Sequence, residues 1–420
     1  QELGDGLVLR AVESDADADR VIAINSAIHG TGVEPVLRRW LLDGHPALFR
    51  EGWLFVEDVS SGEVVSTLSL MPVRWRYGDQ TLPVAEMGFV ATRPAYRGRG
   101  LQRSLADHFE HLARDMGYTL AAIEGIPGFY GQFGYEYAVP LIGGTDLAFA
   151  RVPDDPVPDG YRTRAADLDD VPALQRFYDA SIAGLDIAAL RGAELWRLQL
   201  ELSVETDFYG RTTVIERDGA MVGYVRWTDD DWMDPLRILE LAVQPGPDAR
   251  NAILLALQFA RERGRAENRD GLRLQLPEDH PAVRVAGYLG GVDTGYYGWQ
   301  MKVLDLAGFM RAVGSTLEAR LAASVLDGYS GTLLFNLYRS RLALRFERGR
   351  LAEVDGTHSS RGGDRPGARM RQKQATQLWL GWRGREALEG WYPDFSTRAE
   401  ARHLLDVLFP RARAYIYTAY

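Results

Sequence analysis

The sequence predicts an α/β chain of three consecutive units: two with the same order of elements, residues 1–150 and 151–300, and an α+β unit of different character, residues 301–420. Three observations predict it. An apolar strand runs through a basic, glycine-bearing turn into an amphipathic helix between Val84 and Met116; a proline- and aspartate-rich segment follows at Val152–Gly160; and a comparable run of helices and strands then begins again.

Val84–Thr92 is mostly apolar and reads as a buried strand. The turn after it, Arg93-Pro-Ala-Tyr-Arg-Gly-Arg-Gly100, is rich in cations. Gly98 and Gly100 remove Cβ groups where backbone must come close to a ligand. The helix that begins near Leu101 aims its first unpaired N–H groups at the same place, a combination that suits a pyrophosphate. Leu101, Leu105, Phe109, Leu112 and Met116 form one apolar face, Gly117 ends the helix, and Thr119–Ile123 is the next strand. The spacing matches neither a Walker loop nor a dinucleotide GxGxxG. Taken alone, Arg97-Gly-Arg-Gly100 reads equally as an ordinary basic loop; its place between strand and helix makes the difference.

Val152–Gly160 cannot continue a helix or a central strand and reads as a linker. Beyond it, Val171–Leu185 and Ala193–Leu202 read as helices. Thr212–Arg217 and Met221–Trp227 form a hairpin across Asp218-Gly219, Arg237–Val243 is a strand and Ala249–Arg263 a helix. Where this unit should repeat the basic turn, the chain reads Val243-Gln-Pro-Gly-Pro-Asp-Ala-Arg250. Pro247 lacks an N–H and Asp248 would repel a diphosphate, so the second unit is expected to bind no cofactor and to act as scaffold.

From Met301 the pattern changes, with strands expected around Gly331–Leu337, Arg341–Phe346 and Leu351–Val354 and a helix at Ala399–Leu408. Thr357–Arg369, dense in Gly, Ser and Arg, reads as a mobile loop rather than a second phosphate site. The ending Ala414-Tyr-Ile-Tyr-Thr-Ala-Tyr420 is apolar and aromatic, and is expected to dock against the body of the protein.

Composition narrows the function classes. A formal charge of −10 argues against a nucleic-acid partner, which calls for a basic face. The absence of cysteine removes disulfides, thiolate metal sites and a cysteine nucleophile, and is compatible with a reducing cytoplasm. No apolar run reaches membrane-spanning length and no secretory signal stands at the start, so no membrane partner is expected. His108 and His111 lie three apart on a helix, but no third ligand is evident nearby, and no metal is expected. The hydrolase signatures GxSxG and HExxH do not occur.

Arg97–Leu101 resembles the acetyl-CoA motif of the GNAT N-acetyltransferases, and Phe129-Tyr-Gly-Gln-Phe-Gly-Tyr135 is similar to a block of their enhanced intracellular survival (Eis) family. In the third unit, Leu378-Trp-Leu-Gly381 and Leu405-Asp-Val-Leu-Phe409 look like sterol carrier protein folds. The whole layout resembles Eis: two tandem GNAT-like domains, the second degenerate, then a sterol carrier protein-like domain. The resemblance implies acetyl-CoA as co-substrate, a primary amine of a small molecule or a lysine as acceptor, and a hexamer. Phe89, Val90, Ala91 and Thr92 would hold the pantetheine arm. Arg97, Gly98, Arg99, Gly100, Leu101, Gln102 and Arg103 would hold the pyrophosphate, and Gly125 and Ile126 would line the same channel. Tyr130 would be the general acid, the terminal carboxylate of Tyr420 the general base, and Trp40 part of the acceptor pocket. No carboxylate accompanies that aromatic around His29 and Gly30, which argues against an aminoglycoside-like preference.

The chemistry sets limits on these roles. A phenol of pKa about 10 protonating a thiolate near about 8.5 works uphill by roughly 1.5 units, a small barrier. An α-carboxylate near pH ~3.5 lies about seven units below an alkylammonium, too far for direct deprotonation. It could hold the cationic amine, act through water, or take the proton after attack, when the nitrogen is far more acidic. Glu86 and Glu124 are alternative bases or acceptor contacts, and equally ordinary strand-end carboxylates. Without the resemblance, Tyr130 beside Phe133 and Tyr135 reads as core packing. A second functional class stays open: a lipid or small-ligand binder acting through the C-terminal unit.

Overall fold

The computed structural model describes residues 1–203, 205–206, 209–228, 235–357 and 367–417. Two long strands anchor it, β4 (Glu63–Tyr77) and β5 (Gln80–Thr92), turned about Gly78 at φ 59°. Before them come β1 (Glu2–Gly4), β2 (Leu7–Ala11), helix α1 (Asp15–His29), the short α2 (Glu34–Arg38) and β3 (Trp53–Asp58). After them come α3 (Leu101–Asp115), β6 (Leu120–Ile123) and β7 (Glu136–Ala148). The α3 boundaries follow from its residues. Leu101, Leu105 and Phe109 bury one face, and Gly117, at φ 84°, turns the chain out.

The next stretch gives β8 (Tyr161–Ala165), α4 (Val171–Ile182), β9 (Ile187–Ala189) and α5 (Ala193–Leu202). Then come β10 (Arg211–Arg217), β11 (Ala220–Thr228), β12 (Leu236–Val243), α6 (Ala249–Ala266), β13 (Gly271–Leu274), α7 (Pro281–Tyr288) and β14 (Val292–Val303). Asp218 at φ 51° and Gly219 at φ 82° make the two-residue turn that their residue types call for.

These strands form one 14-stranded sheet in the order β1-β2-β3-β4-β5-β6-β14-β7-β13-β12-β11-β10-β8, with β9 beside β4. The order shows an exchange. β14, late in the chain, lies between β6 and β7, pairing Gln300 with Ile123 and Trp299 with Val139. β7 in turn pairs with β13, Leu272 facing Leu147. The sheet does not divide at Val152–Gly160; the two halves are joined through β7, β13 and β14.

A second, five-stranded sheet follows from β15 (Gly331–Asn336), β16 (Arg341–Glu347), β17 (Arg350–Asp355), β18 (Ala368–Arg369) and β19 (Ser396–Thr397). Around it lie α8 (Leu306–Ala312), α9 (Gly314–Ala322), α10 (Gln372–Trp379), α11 (Arg385–Trp391) and α12 (Ala399–Leu408). Its core is continuous with one face of the large sheet. Trp75, Tyr77, Trp299 and Met301 pack with Phe309, Phe335 and Trp379, and the Tyr77 hydroxyl donates to the Trp379 carbonyl at 2.6 Å. The expected loop at Thr357–Arg369 lies largely outside the described residues.

The described part of the aromatic ending, Ala414–Tyr417, docks as its composition calls for. Ala414 bridges Ile187 of β9 in parallel, and Tyr415, Ile416 and Tyr417 are buried. Tyr415 donates to the Gln275 carbonyl at 2.8 Å, and Tyr417 meets Tyr178 edge-on at 6.0 Å.

Candidate active site

The basic turn leaves β5 through a 3₁₀ turn at Pro94–Tyr96 and enters α3 at Gly100. Gly98 and Gly100 stand at φ 78° and 79°, where any side chain is strained, and no side chain caps the helix. The Arg103 and Ser104 N–H groups already donate to the Gly100 carbonyl, which leaves those of Leu101 and Gln102 open beside the exposed Arg97 and Arg99. The Arg99 guanidinium lies 5.0 Å over Tyr96, and Arg103 lies 5.2 Å over Phe133. Gln102 faces the other way. Its amide donates to Ser66 Oγ, Ala91 O and Thr92 Oγ1 at 2.9–3.0 Å, clamping α3 onto β4 and β5. Leu101 is buried beneath.

Between the turn and the centre of the sheet, β5 runs without a partner on one side. β6 pairs with it in parallel only from Val84 to Glu86, so from Met87 to Thr92 that edge lies open among the described residues. A bulge helps to part the strands. Thr67 faces Ala91 while Ser69 faces Gly88, so Phe89 and Val90 together oppose the single Leu68, one extra residue on β5, with Phe89 at φ 46°. Thr67 Oγ1 fixes the bulge by donating to the Phe89 carbonyl at 3.0 Å. A non-glycine residue held there is backbone strain of the kind that gathers at functional sites.

The Phe89 ring points away from the open edge into an aromatic wall. It meets Trp53 at 5.3 Å and Trp40 at 5.6 Å, and His29 lies 6.1 Å off. Trp40 sits on a π-helical turn, Arg39–Asp43, and its indole N–H donates to the hydroxyl of Tyr209, 169 residues on, at 3.0 Å. Trp40 is 3% exposed, and Glu86, three residues before Phe89 on β5, is equally buried. Burial pushes the Tyr209 phenol well above its ordinary range.

Beyond β6 the chain leaves the sheet at Glu124 and Gly125 and turns back as a 3₁₀ helix, Tyr130–Phe133. Glu124 is solvent-exposed yet set deep among other parts of the protein. Desolvation raises its carboxyl, while the Arg237 guanidinium of β12 draws it down. Gly125 is needed because the Tyr130 ring lies against it: a Cβ there would come 2.1 Å from the ring. Tyr130 is 5% exposed, its hydroxyl has no hydrogen-bond partner among the described residues, and burial pushes its phenol up to about 12. Phe129 and Tyr135 flank it edge-on at 5.0 and 6.4 Å. Ile126, 67% exposed, stands at the mouth.

The structure thus gathers Phe89–Thr92, Arg97–Arg103, Gly125, Ile126 and Tyr130 along the β5 edge and the gap beside β6, with Trp40 behind the bulge. Tyr420 lies outside the described residues. Tyr209 escaped the sequence reading because only the fold brings it to Trp40. Nothing local to residues 203–210 signals that contact.

Residues 19–138 match the acetyltransferase (GNAT) domain family. The N-acetyltransferase Eis of Mycobacterium tuberculosis (strain ATCC 25177 / H37Ra) is 39% identical over 92 residues, a match that spans 21% of this chain and 23% of that protein's own length. The solved Eis1 of Mycobacterium abscessus superposes with a TM-score of 0.64 at 16% identity, covering 99% of this chain and 100% of that one. A GCN5-related N-acetyltransferase of Anabaena variabilis gives 0.71 at 12% identity, with 99% and 100% covered. These likenesses establish a shared fold along the chain.

Proposed function

We propose that this chain, which carries a GNAT acetyltransferase domain and resembles the Eis N-acetyltransferases, transfers an acetyl group from acetyl-CoA directly to a primary amine of a small molecule or a lysine side chain. One observation carries the reading. A glycine turn with uncapped N–H groups, an unpaired strand edge and a buried phenol follow one another along a single side of β5. Arg97–Arg103 would take the pyrophosphate, Met87–Thr92 would pair with the amide-bearing pantetheine arm as an added strand, and the thioester would come to rest near Tyr130. The thioester supplies the activated acyl group.

Tyr130 then acts as general acid toward the departing sulfur. Its phenol at about 12 widens the gap to a free thiol of about 8.5 to roughly 3.5 units. The desolvation that raises the phenol raises a thiolate lodged beside it as well, which closes much of that gap. Once the nitrogen has attacked and become acidic, its proton passes to a carboxylate. Glu124, lifted by desolvation and open to the gap, is the described candidate; the Tyr420 terminus is the other. The buried run Ala414–Tyr417, docked in parallel on β9, supports a role for that terminus. In this reading residues 151–300 form a degenerate second GNAT-like domain. Asp248, paired with Arg217 at the start of α6, occupies the place of the phosphate turn. Residues 301–420 form the sterol carrier protein-like domain that carries the tail, and the protein works as a homo-oligomer.

Calorimetric titration with acetyl-CoA and with a fatty acyl ligand tests the proposal: heat with the first and none with the second is expected. A panel of amines read by thiol release would then identify the acceptor. One residue added after Tyr420 is expected to lower turnover; full activity would assign the base to Glu124 instead.

A further inference from the structure

The exchanged strand β14 does more than fill the sheet. Two donors from it converge on one carbonyl: the Tyr297 hydroxyl and the Gln300 side-chain amide, at 2.9 Å, both donate to Gly125 O. Gln300 also reaches Ile126 O at 3.4 Å. A carbonyl oxygen offers two lone pairs, so the Gly125 acceptor is saturated and its peptide plane fixed. On that peptide rests the Tyr130 ring, close enough that the missing Cβ of Gly125 is the space it occupies.

The rest of the same segment is held in the same manner. Lys302, also on β14, donates to the Phe133 carbonyl at 2.8 Å, and Lys373 of α10 donates to the Gly131 carbonyl at 2.8 Å. Each end of the Tyr130–Phe133 turn is thus tied through main-chain carbonyls to side chains at least 169 residues downstream. The rings around Tyr130 supply packing but no direction, and its hydroxyl has no tether among the described residues. The aim of the phenol follows from the peptides beneath it.

We infer that Gln300, Tyr297 and Lys373 are positioning residues for Tyr130, so that the second and third parts of the chain set the reactivity of the first. The inference rests on Tyr130 being the acid. Displacing a positioned group by about 1 Å can cost about 100-fold in rate.

The test compares kcat and acetyl-CoA affinity in the full chain for Tyr297→Phe, Gln300→Leu and Lys373→Met, each alone and combined with Tyr130→Phe. Tyr297→Phe removes a single oxygen and guards against misfolding as an explanation. Expected are a fall in kcat of about 10- to 100-fold for Gln300→Leu, a smaller fall for Tyr297→Phe, and acetyl-CoA binding unchanged within about twofold. In the Tyr130→Phe background the same changes should add less than about twofold, because the group they aim is gone. Lys373→Arg should restore what Lys373→Met loses. Unchanged kcat in the single variants, or an equal loss with and without the Tyr130 hydroxyl, overturns the inference while the acid assignment stands. Should Tyr130→Phe itself leave kcat intact, the acid assignment and the inference fall together.

Discussion

Tyr130 owes its properties to neighbours rather than to its residue type. A phenol with 5% exposure and a pKa near 12 stays protonated through the physiological range and has a proton to give only to something strongly basic. Tyr130→Phe is therefore expected to lower kcat by about 100-fold or more with acetyl-CoA affinity unchanged, measured by steady-state kinetics beside calorimetry. Glu124 gives a second test. Its carboxyl is raised in the folded protein, chiefly by desolvation, so the native state holds the proton more tightly than the unfolded chain. Stability from this group is full below the unfolded value and declines as pH rises through the folded one. Glu124→Gln should consequently melt higher than the parent at pH 7 to 8, and this advantage should vanish near pH 4. The block Phe129–Tyr135 made Tyr130 legible, but neither Gly125's space for the ring nor Tyr209's bond to Trp40 could be read, since both depend on contacts that only the fold creates.

Elements whose signals are local were the most readable. Asp218-Gly219 closes its hairpin as the pair dictates, and α3 begins and ends where glycine and the apolar period place it. The turn Arg97–Gly100 belongs to this class in its backbone, because both glycines are required by backbone angle. Gly100→Glu would place an L-residue at φ 79° and a carboxylate where a diphosphate should lie; loss of measurable acetyl-CoA binding is expected, with Gly100→Ala weakened to a lesser degree. The bulge in β5 was not readable. Nothing marks Phe89 for the left-handed region, and its conformation is imposed by register with β4 and by the aromatic wall.

At the scale of the molecule, sequence order and spatial order part company. Tandem units suggest parts that stand alone, whereas β14 crosses back between β6 and β7, and pairings this distant in the chain leave no local mark. The second half also holds a buried ionic cluster. Glu240 accepts from Arg191 and Arg226 at 2.6 Å and from Tyr224 at 3.1 Å, and Arg226 also donates to the Tyr209 carbonyl at 2.6 Å, linking the second half to the Trp40 wall. Burial alone would raise the Glu240 carboxyl, yet the two guanidiniums hold it at about 2. Because the folded value is depressed, this stability is present above the unfolded pKa of about 4.3 and is lost as pH falls toward about 2. Glu240→Gln is expected to cost about 3–5 kcal/mol at neutral pH, read by denaturant unfolding, and to flatten the acid limb of the stability curve.

Residues 1–150 without the remainder would keep the glycine turn and Tyr130 but would leave a slot one strand wide between Leu120–Ile123 and Glu136–Ala148. Such a fragment is an incomplete template, and a free peptide spanning Val292–Val303 is the piece cut to its shape. Severing the chain upstream of that segment and supplying it in trans would turn acetylation into a reporter of fragment complementation.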